Sequence, residues 1–303
     1  MRILMAGASG FLGTRLVERL RASGHDVTRL VRRPASEPDE ITWEPSQGRL
    51  DPAVVAAADT VINLAGAGVG DHRWTPRYKS LLRSSRVDST GTIARAIKQL
   101  PAADRPGTLL QASAVGWYGD TGDREVTEEE PAGRTFLADV CRVWEAAARP
   151  AEDAGTRVVP MRTGLVLDPG AGLLKPLLLP FKLGGGARID AGRQWMPWIG
   201  LADWMDAAEF LLTHDEVAGP VNMVGPQPVT NAEFTKALGR AVHRPALLVV
   251  PSVVIRAALG EFGGEIRNSQ RVLPSVLERA GFRFTYADID SALRNALNRE
   301  PSA

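Results

Sequence analysis

Seven residues near the N-terminus, Gly7-Ala8-Ser9-Gly10-Phe11-Leu12-Gly13, have types and spacing suited to holding phosphates. They follow the apolar run Arg2–Ala6 and open the amphipathic stretch Phe11–Ser23. In a strand–turn–helix each glycine has its own task. Gly7 permits the tight turn, Gly10 lets backbone approach a pyrophosphate, and Gly13 lets the helix pack on the sheet. The helix N-terminus, through Ser9, Gly10, Phe11 and Leu12, then offers free N–H groups and the positive end of its dipole. An acidic reader of the ribose 2′-OH stands about twenty residues further on in such sites. Here that position is Val31, followed by Arg32 and Arg33. Two guanidinium groups suit a 2′-phosphate through charge-assisted hydrogen bonds, which favours NADP(H) over NAD(H); the plain alternative is a pair of solvated arginines. Asn63-Leu64-Ala65-Gly66 closes a third apolar run, and Leu64 and Ala65 are placed to let a ribose and phosphates pass close. An ordinary strand terminus is the competing reading.

Other reactive side chains are candidates by position. Ser113 and Tyr118 flank the end of a fourth run, Thr108–Ala112, where open α/β sheets place ligands. Both are read as candidate catalytic groups, against a strand-end hydroxyl and a pocket wall. Thr163, Gly164 and Val166 follow a fifth run, Arg157–Met161, and are expected against a nicotinamide ring. Arg86 is expected on a phosphate or the nicotinamide-side ribose, against a surface ion pair. Cys141 is the single cysteine, which excludes a disulfide framework, and reads as a buried small hydrophobe. His25, His72, His214 and His243 lack ligand spacing, so no metal is expected. Trp74, Trp117, Trp195 and Trp198 either line a cleft or pack a core.

The elements that must position these groups follow from the pattern. Apolar runs at Arg2–Ala6, Asp26–Val31, Thr60–Leu64, Thr108–Ala112 and Arg157–Met161 alternate with helical stretches at Arg77–Gln99 and Arg134–Ala154. That alternation predicts a doubly wound parallel sheet covered on both faces, an α/β class. After about residue 168 the pattern becomes helical, at Asp203–Leu212, Asn231–Val242, Val272–Ala280 and Asp288–Leu297, with Leu173–Pro180 broken by two prolines. The expected division is a nucleotide-binding domain over 1–168, some later strands rejoining it, and a smaller α-rich substrate lobe over 169–303. A C-terminal helical domain is expected at about 248–298, with a short tail. Lys plus Arg number 36 against 35 Asp plus Glu, which gives no footprint for nucleic acid and no polybasic patch for a membrane. No apolar run nears bilayer length and the N-terminus lacks a signal-peptide pattern, so a cytoplasmic protein is expected.

GASGFLG at 7–13, NLAG at 63–66 and SAVGWYGD at 113–120 together resemble an extended short-chain dehydrogenase/reductase. ITWEP at 41–45, SSRVDST at 84–90, FLADVCRVWEAAA at 136–148, RTGLVL at 162–167, GRQWMPWI at 192–199, SQRVLP at 269–274 and AGFRF at 280–284 narrow it. They resemble the atypical epimerase-family branch labelled cell-division-inhibitor-like, with its C-terminal domain of unknown function. The resemblance spans nearly the whole chain and implies a Rossmann fold, NADP(H) binding and a homodimer. Active members of the wider superfamily carry a Tyr-x-x-x-Lys pair on the helix that begins near Phe136. Aligned on Glu145, those positions are Leu137 and Cys141, while Arg86 stands for a helper Asn. The customary Ser is Ser113 or, in the register of Tyr118-Gly119, has become Ala114. The counterpart of the sugar-nucleotide relatives' phosphate-binding Arg is Met196, which argues against a nucleotide-diphosphate sugar.

Two functions follow as expectations. One is an NADP(H)-dependent oxidoreductase or epimerase-like enzyme on an unidentified small molecule. The other is a non-enzymatic NADP(H)-dependent binding or regulatory protein, linked by the branch's label to cell division.

Overall fold

Seven strands build the central sheet of the computed structural model, which describes residues 1–298; the expected tail lies outside the described residues. They are β1 (Arg2–Ala6), β2 (Asp26–Val31), β3 (Glu40–Thr42), β4 (Thr60–Asn63), β5 (Thr108–Ala114), β6 (Arg157–Thr163) and β7 (Val221–Met223). Their spatial order is β7-β6-β5-β4-β1-β2-β3 in a parallel sheet. Strand β1 pairs with β2 from Arg2↔Asp26 to Ala6↔Leu30, and with β4 from Ile3↔Thr60 to Ala6↔Asn63. The order therefore reverses at β1, with β2 on one side and β4 on the other. In β1 every residue after Arg2 is buried, as a strand covered on both faces requires. Leu4, Val61, Ile93, Ile97 and Leu109 belong to one core cluster.

Helices α1 (Phe11–Ala22), α2 (Pro52–Ala56), α3 (Pro76–Gln99), α4 (Phe136–Ala146) and α5 (Arg149–Asp153) follow in the first half of the chain. The single helix expected over Arg134–Ala154 is two, because Pro150 has no N–H for an interior helical bond and starts α5 instead. Strand β3 went unanticipated, being three residues long amid polar sequence. Its pairing with β2 is reinforced by Arg29, which binds Asp39 at 2.7 Å and lies 3.3 Å from Glu40.

Later come α6 (Leu174–Lys182), α7 (Leu201–Thr213), α8 (Asn231–Ala241), α9 (Ser252–Leu259), α10 (Glu261–Glu265), α11 (Ser275–Arg279) and α12 (Ile289–Asn298). Helix α6 forms across the two prolines expected to break it. Pro176 sits in its first turn, where the missing N–H has no partner to lose, and Pro180 falls in its last. The stretch Val272–Ala280 is not one helix. Arg271–Val272 pairs with Glu125–Val126, and α11 starts only after Pro274.

The chain gathers into two compact units. The first holds Met1–Ser113, Val140–Met161 and Ala208–Pro220; the second holds Ala114–Asp139, Arg162–Ala207 and the residues from Val221 onward. Among the described residues no helix is long and apolar enough to cross a membrane.

The closest packing lies where α1 leaves β1. A Cβ on Gly13 would fall 2.1 Å from the Gly7 carbonyl oxygen and 2.8 Å from Ala8 Cα, both backbone. Gly13→Ala therefore forces α1 off the strand. We expect a loss of about 1–3 kcal/mol, seen as a Tm lower by roughly 3–10 °C in a thermal melt. An unchanged Tm contradicts the assignment.

Candidate functional site

In the first unit the glycine turn separates into three distinct roles. Gly7 has φ +79°, and its Cβ would lie 2.5 Å from the Leu64 carbonyl carbon, so the turn and the end of β4 touch through backbone. Gly13 is the packing glycine. Gly10 meets neither demand: its φ is −76°, and only the Gly7 oxygen, at 3.3 Å, would stand near its Cβ. It caps α1 with no side-chain hydrogen bond, so the first N–H groups of the helix have no cap. Ser9 and Gly10 are exposed, Phe11 and Leu12 half-buried.

At the end of β2 the two arginines differ. Arg33 is committed within the chain, donating to Glu40 through Nη1 at 2.7 Å and Nη2 at 2.6 Å, and to Ser36 at 2.9 Å. This pairing, with help from the Ser36 N–H, holds the Glu40 carboxyl down at about 2. Arg32 is exposed and has no ion pair or hydrogen-bond partner among the described residues.

Beyond β4, the half-buried Leu64 and Ala65 are fixed by their own backbone. Leu64 N–H donates to the Ala6 carbonyl at 2.9 Å, and Ala65 N–H to Asn63 Oδ1 at 3.1 Å. Asn63 Nδ2 donates in turn to Thr90 and to Gln111, each at 3.0 Å, and Trp144 Nε1 reaches the same Thr90 hydroxyl at 3.1 Å. These buried bonds join β4, α3, β5 and α4 around the loop.

Arg86 lies on that loop. A Cβ on Gly66 would come within 3.3 Å of its Cγ and Cζ. Its Nη1 donates to the Ala67 and Leu82 carbonyls at 2.9 and 3.0 Å, and its guanidinium stacks 4.8 Å from the Trp144 ring centre. Burial pulls its pKa down, and Cys141 and Tyr78 partly offset this. No carboxylate pairs with it among the described residues. Ser113 is buried and donates to Glu145 Oε1 at 2.6 Å.

The second unit holds the other expected site residues. Tyr118 is buried, donates to Asn222 Oδ1 at 2.7 Å and accepts from Arg162 Nη1 at 3.1 Å. Arg162, itself buried, stacks 3.9 Å from the Trp117 ring centre and donates to the Glu128 carbonyl at 3.1 Å. Glu128 Oε1 accepts from the N–H groups of Asn222 and Val276, at 3.0 and 3.1 Å. Burial pushes the Tyr118 phenol up to about 12, with Arg162 opposing. Thr163 accepts from Trp204 Nε1 at 3.1 Å, Gly164 N–H donates to the Met223 carbonyl at 3.1 Å, and Val166 pairs with Ile199.

Local sequence pattern marks neither Glu145 as Ser113's partner nor the Arg162, Asn222 and Glu128 network. Glu145 is one turn past Cys141 on α4, but its tie to Ser113 spans 32 residues and no local spacing shows it. Glu40 had a local signal, an acid seven residues after Arg33 at the next strand.

A glycine turn at the strand-order reversal, an uncapped helix N-terminus and arginines after β2 define a dinucleotide-binding Rossmann protein. A family model described as "NAD dependent epimerase/dehydratase family" matches residues 3–225, and one described as "Domain of unknown function (DUF1731)" matches residues 250–296. The chain belongs to the NAD dependent epimerase/dehydratase family, the extended short-chain dehydrogenase/reductases. It is 46% identical over 298 residues to "Epimerase family protein Mb2239" of Mycobacterium bovis, covering 98% of each chain. The crystal structure of human epimerase family protein SDR39U1 (isoform 2) with NADPH superposes with a TM-score of 0.88 at 33% identity, covering 99% of this chain and 100% of that one. A nucleoside-diphosphate sugar epimerase from Corynebacterium glutamicum gives 0.81 at 32% identity, covering 98% of this chain and 58% of that one.

Because the Tyr118 phenol is favoured neutral in the fold, its contribution to stability is complete below its unfolded value of about 10. It is lost as pH rises toward about 12. In an alkaline titration followed by phenolate absorbance, Tyr118→Phe should remove the last phenol to ionise. A step lost near pH 10 instead means the hydroxyl is exposed.

Proposed function

We propose that the chain is an NADP(H)-dependent oxidoreductase, with a substrate lobe built mainly from its second unit. The observation that carries this is the turn at Gly10, whose φ of −76° requires no glycine and where a Cβ would press on one backbone oxygen at 3.3 Å, while α1 opens beside it with no side-chain cap. A close approach by a phosphate accounts for both. The NADPH in the human relative and the free Arg32 support the cofactor choice. Ser9, Gly10, Phe11 and Leu12 would hold the pyrophosphate, Leu64 and Ala65 the adenine-side ribose, and Arg32 the 2′-phosphate. Arg33, braced by Glu40, shapes the loop that presents Arg32.

A bound nicotinamide supplies hydride transfer; the chain supplies orientation and proton handling. Leu137 and Cys141 have no acid–base chemistry of the Tyr/Lys kind. Ser113 takes that role in our reading: in the alcohol-oxidising direction its hydroxyl, donating to Glu145, accepts the substrate proton while passing its own to the carboxylate, and carbonyl reduction runs the same relay in reverse, the proton ending on the substrate oxygen. Tyr118 serves instead to hold Arg162. Arg86 packs on Gly66 and Ala67, further along the loop after β4 than Leu64 and Ala65, and a cofactor running from Arg32 past those two residues brings its nicotinamide half toward it. Its charge then stands in for the missing Lys.

A second reading, a cofactor-loaded regulatory protein without turnover, is favoured by the loss of the Tyr/Lys pair. Isotope-free turnover assays separate them: NADPH oxidation across a carbonyl panel that disappears in Ser113→Ala and Glu145→Gln supports the enzyme.

Calorimetric titration tests the cofactor site. NADPH should bind more tightly than NADH, and Arg32→Ala should weaken NADPH by about tenfold or more, the worth of one charge-assisted contact, leaving NADH unchanged. Equal binding of the two nucleotides refutes the arginine argument. Fragments then locate Arg86. Arg86→Met should weaken NADPH and reduced nicotinamide mononucleotide but spare 2′,5′-ADP, which also confirms that the variant folds. A loss confined to 2′,5′-ADP would place Arg86 on the wrong half.

A further inference from the structure

Outside the cofactor site, one face of the second unit combines exposed apolar side chains with unpaired positive charge. Among the described residues, every exposed large hydrophobic residue except Met1 and Leu81 falls in one of two segments, 179–183 and 247–259. The most open are Leu247 at 81%, Leu183 at 78%, Val253 at 69% and Leu179 at 66%. Helix α9 has no buried residue at all. Contiguous apolar exposure of this kind marks an interaction surface.

The two segments form one face. Leu248–Val250 pairs in parallel with Ala187–Ile189, Leu248 N–H donates to the Gly186 carbonyl at 3.2 Å, and Arg244 Nε donates to the Lys182 carbonyl at 3.2 Å. The Asp190 carboxylate accepts from the Ser252 N–H at 2.8 Å, fixing the start of α9.

Its charge is mostly positive, with Asp190 held by the Ser252 N–H and Asp290 by Arg240. Neither 169–189 nor 234–259 contains an Asp or Glu. The first carries Lys175, Lys182 and Arg188, the second Lys236, Arg240, Arg244 and Arg256. Arg240 is engaged by Asp290 of α12. Lys175, Lys182, Lys236 and Arg256 have no ion pair among the described residues. An open surface depression is lined by Lys236, Arg240, His243, Arg244 and Leu247.

Apolar side chains interleaved with unneutralised cations match a surface that is itself apolar beneath and anionic above. A second copy of this chain would bring the same positive charge against it. We propose that this face docks on an anionic phospholipid surface, without any segment crossing the bilayer. The formal charge of +1 over the whole chain conceals the patch, because most of the counterbalancing acids lie outside these two stretches of sequence.

The test is co-sedimentation of the purified full chain with vesicles of phosphatidylcholine, alone or mixed with phosphatidylglycerol. Binding should require phosphatidylglycerol and fall as salt rises. It should drop by about tenfold or more in a Lys182→Glu, Lys236→Glu variant, and also in Val253→Asp. All these positions are exposed and none is among the nucleotide-holding residues, so NADPH titration serves as the check on folding. No sedimentation with either vesicle overturns the proposal, as does equal binding to both. A concentration-dependent dimer abolished by Val253→Asp would also overturn it, since a second copy would then cover the face.

Discussion

The architecture depends on one backbone contact. The turn after β1 presses against the end of β4 so closely that Gly7 cannot carry a Cβ, and α1 folds back on that same turn so closely that Gly13 cannot either. Sterics here, not hydrogen bonding, set the height of α1 above the sheet. With that height fixed, the helix N-terminus, the Asn63 bonds and the loop carrying Leu64 and Ala65 fall into one small region.

Arg33 and Glu40 show how a charge pair can act at one remove. Their bond is geometric support for a loop, and its benefit is that the neighbouring Arg32 is left free. Arg162 is comparable: stacked on Trp117 and bonded to Tyr118 and the Glu128 carbonyl, it closes a buried polar network in which a bare cation would be costly.

The sequence was legible where periodicity and glycine spacing are local. The strands β1, β2, β4, β5 and β6, and the roles of Gly7 and Gly13, follow from short-range pattern, because one run of apolar residues covered on both faces reads plainly. Strand β3 did not, since three residues carry no period and its stability comes from Arg29 across the ladder. Helix α6 was obscured by prolines whose cost depends on their place within the helix. Glu145 was invisible as a partner because its bond to Ser113 depends on how α4 lies over β5. The distinction between Arg32 and Arg33 needed the position of Glu40 in space.

One feature of the second unit bears on how this kind of chain is divided. Gln270 Nε2 donates to the Val115 and Gly119 carbonyls at 3.0 and 2.9 Å, and Thr121 N–H donates to the Ser269 carbonyl at 2.8 Å. Arg271–Val272 then adds a strand beside Glu125–Val126. The loop after β5 thus relies on a stretch more than 140 residues downstream for its own backbone partners. The C-terminal module is in this sense a splint and not a detachable accessory. Without it, the Val115 and Gly119 carbonyls and the Thr121 N–H would have to find their partners within the loop itself.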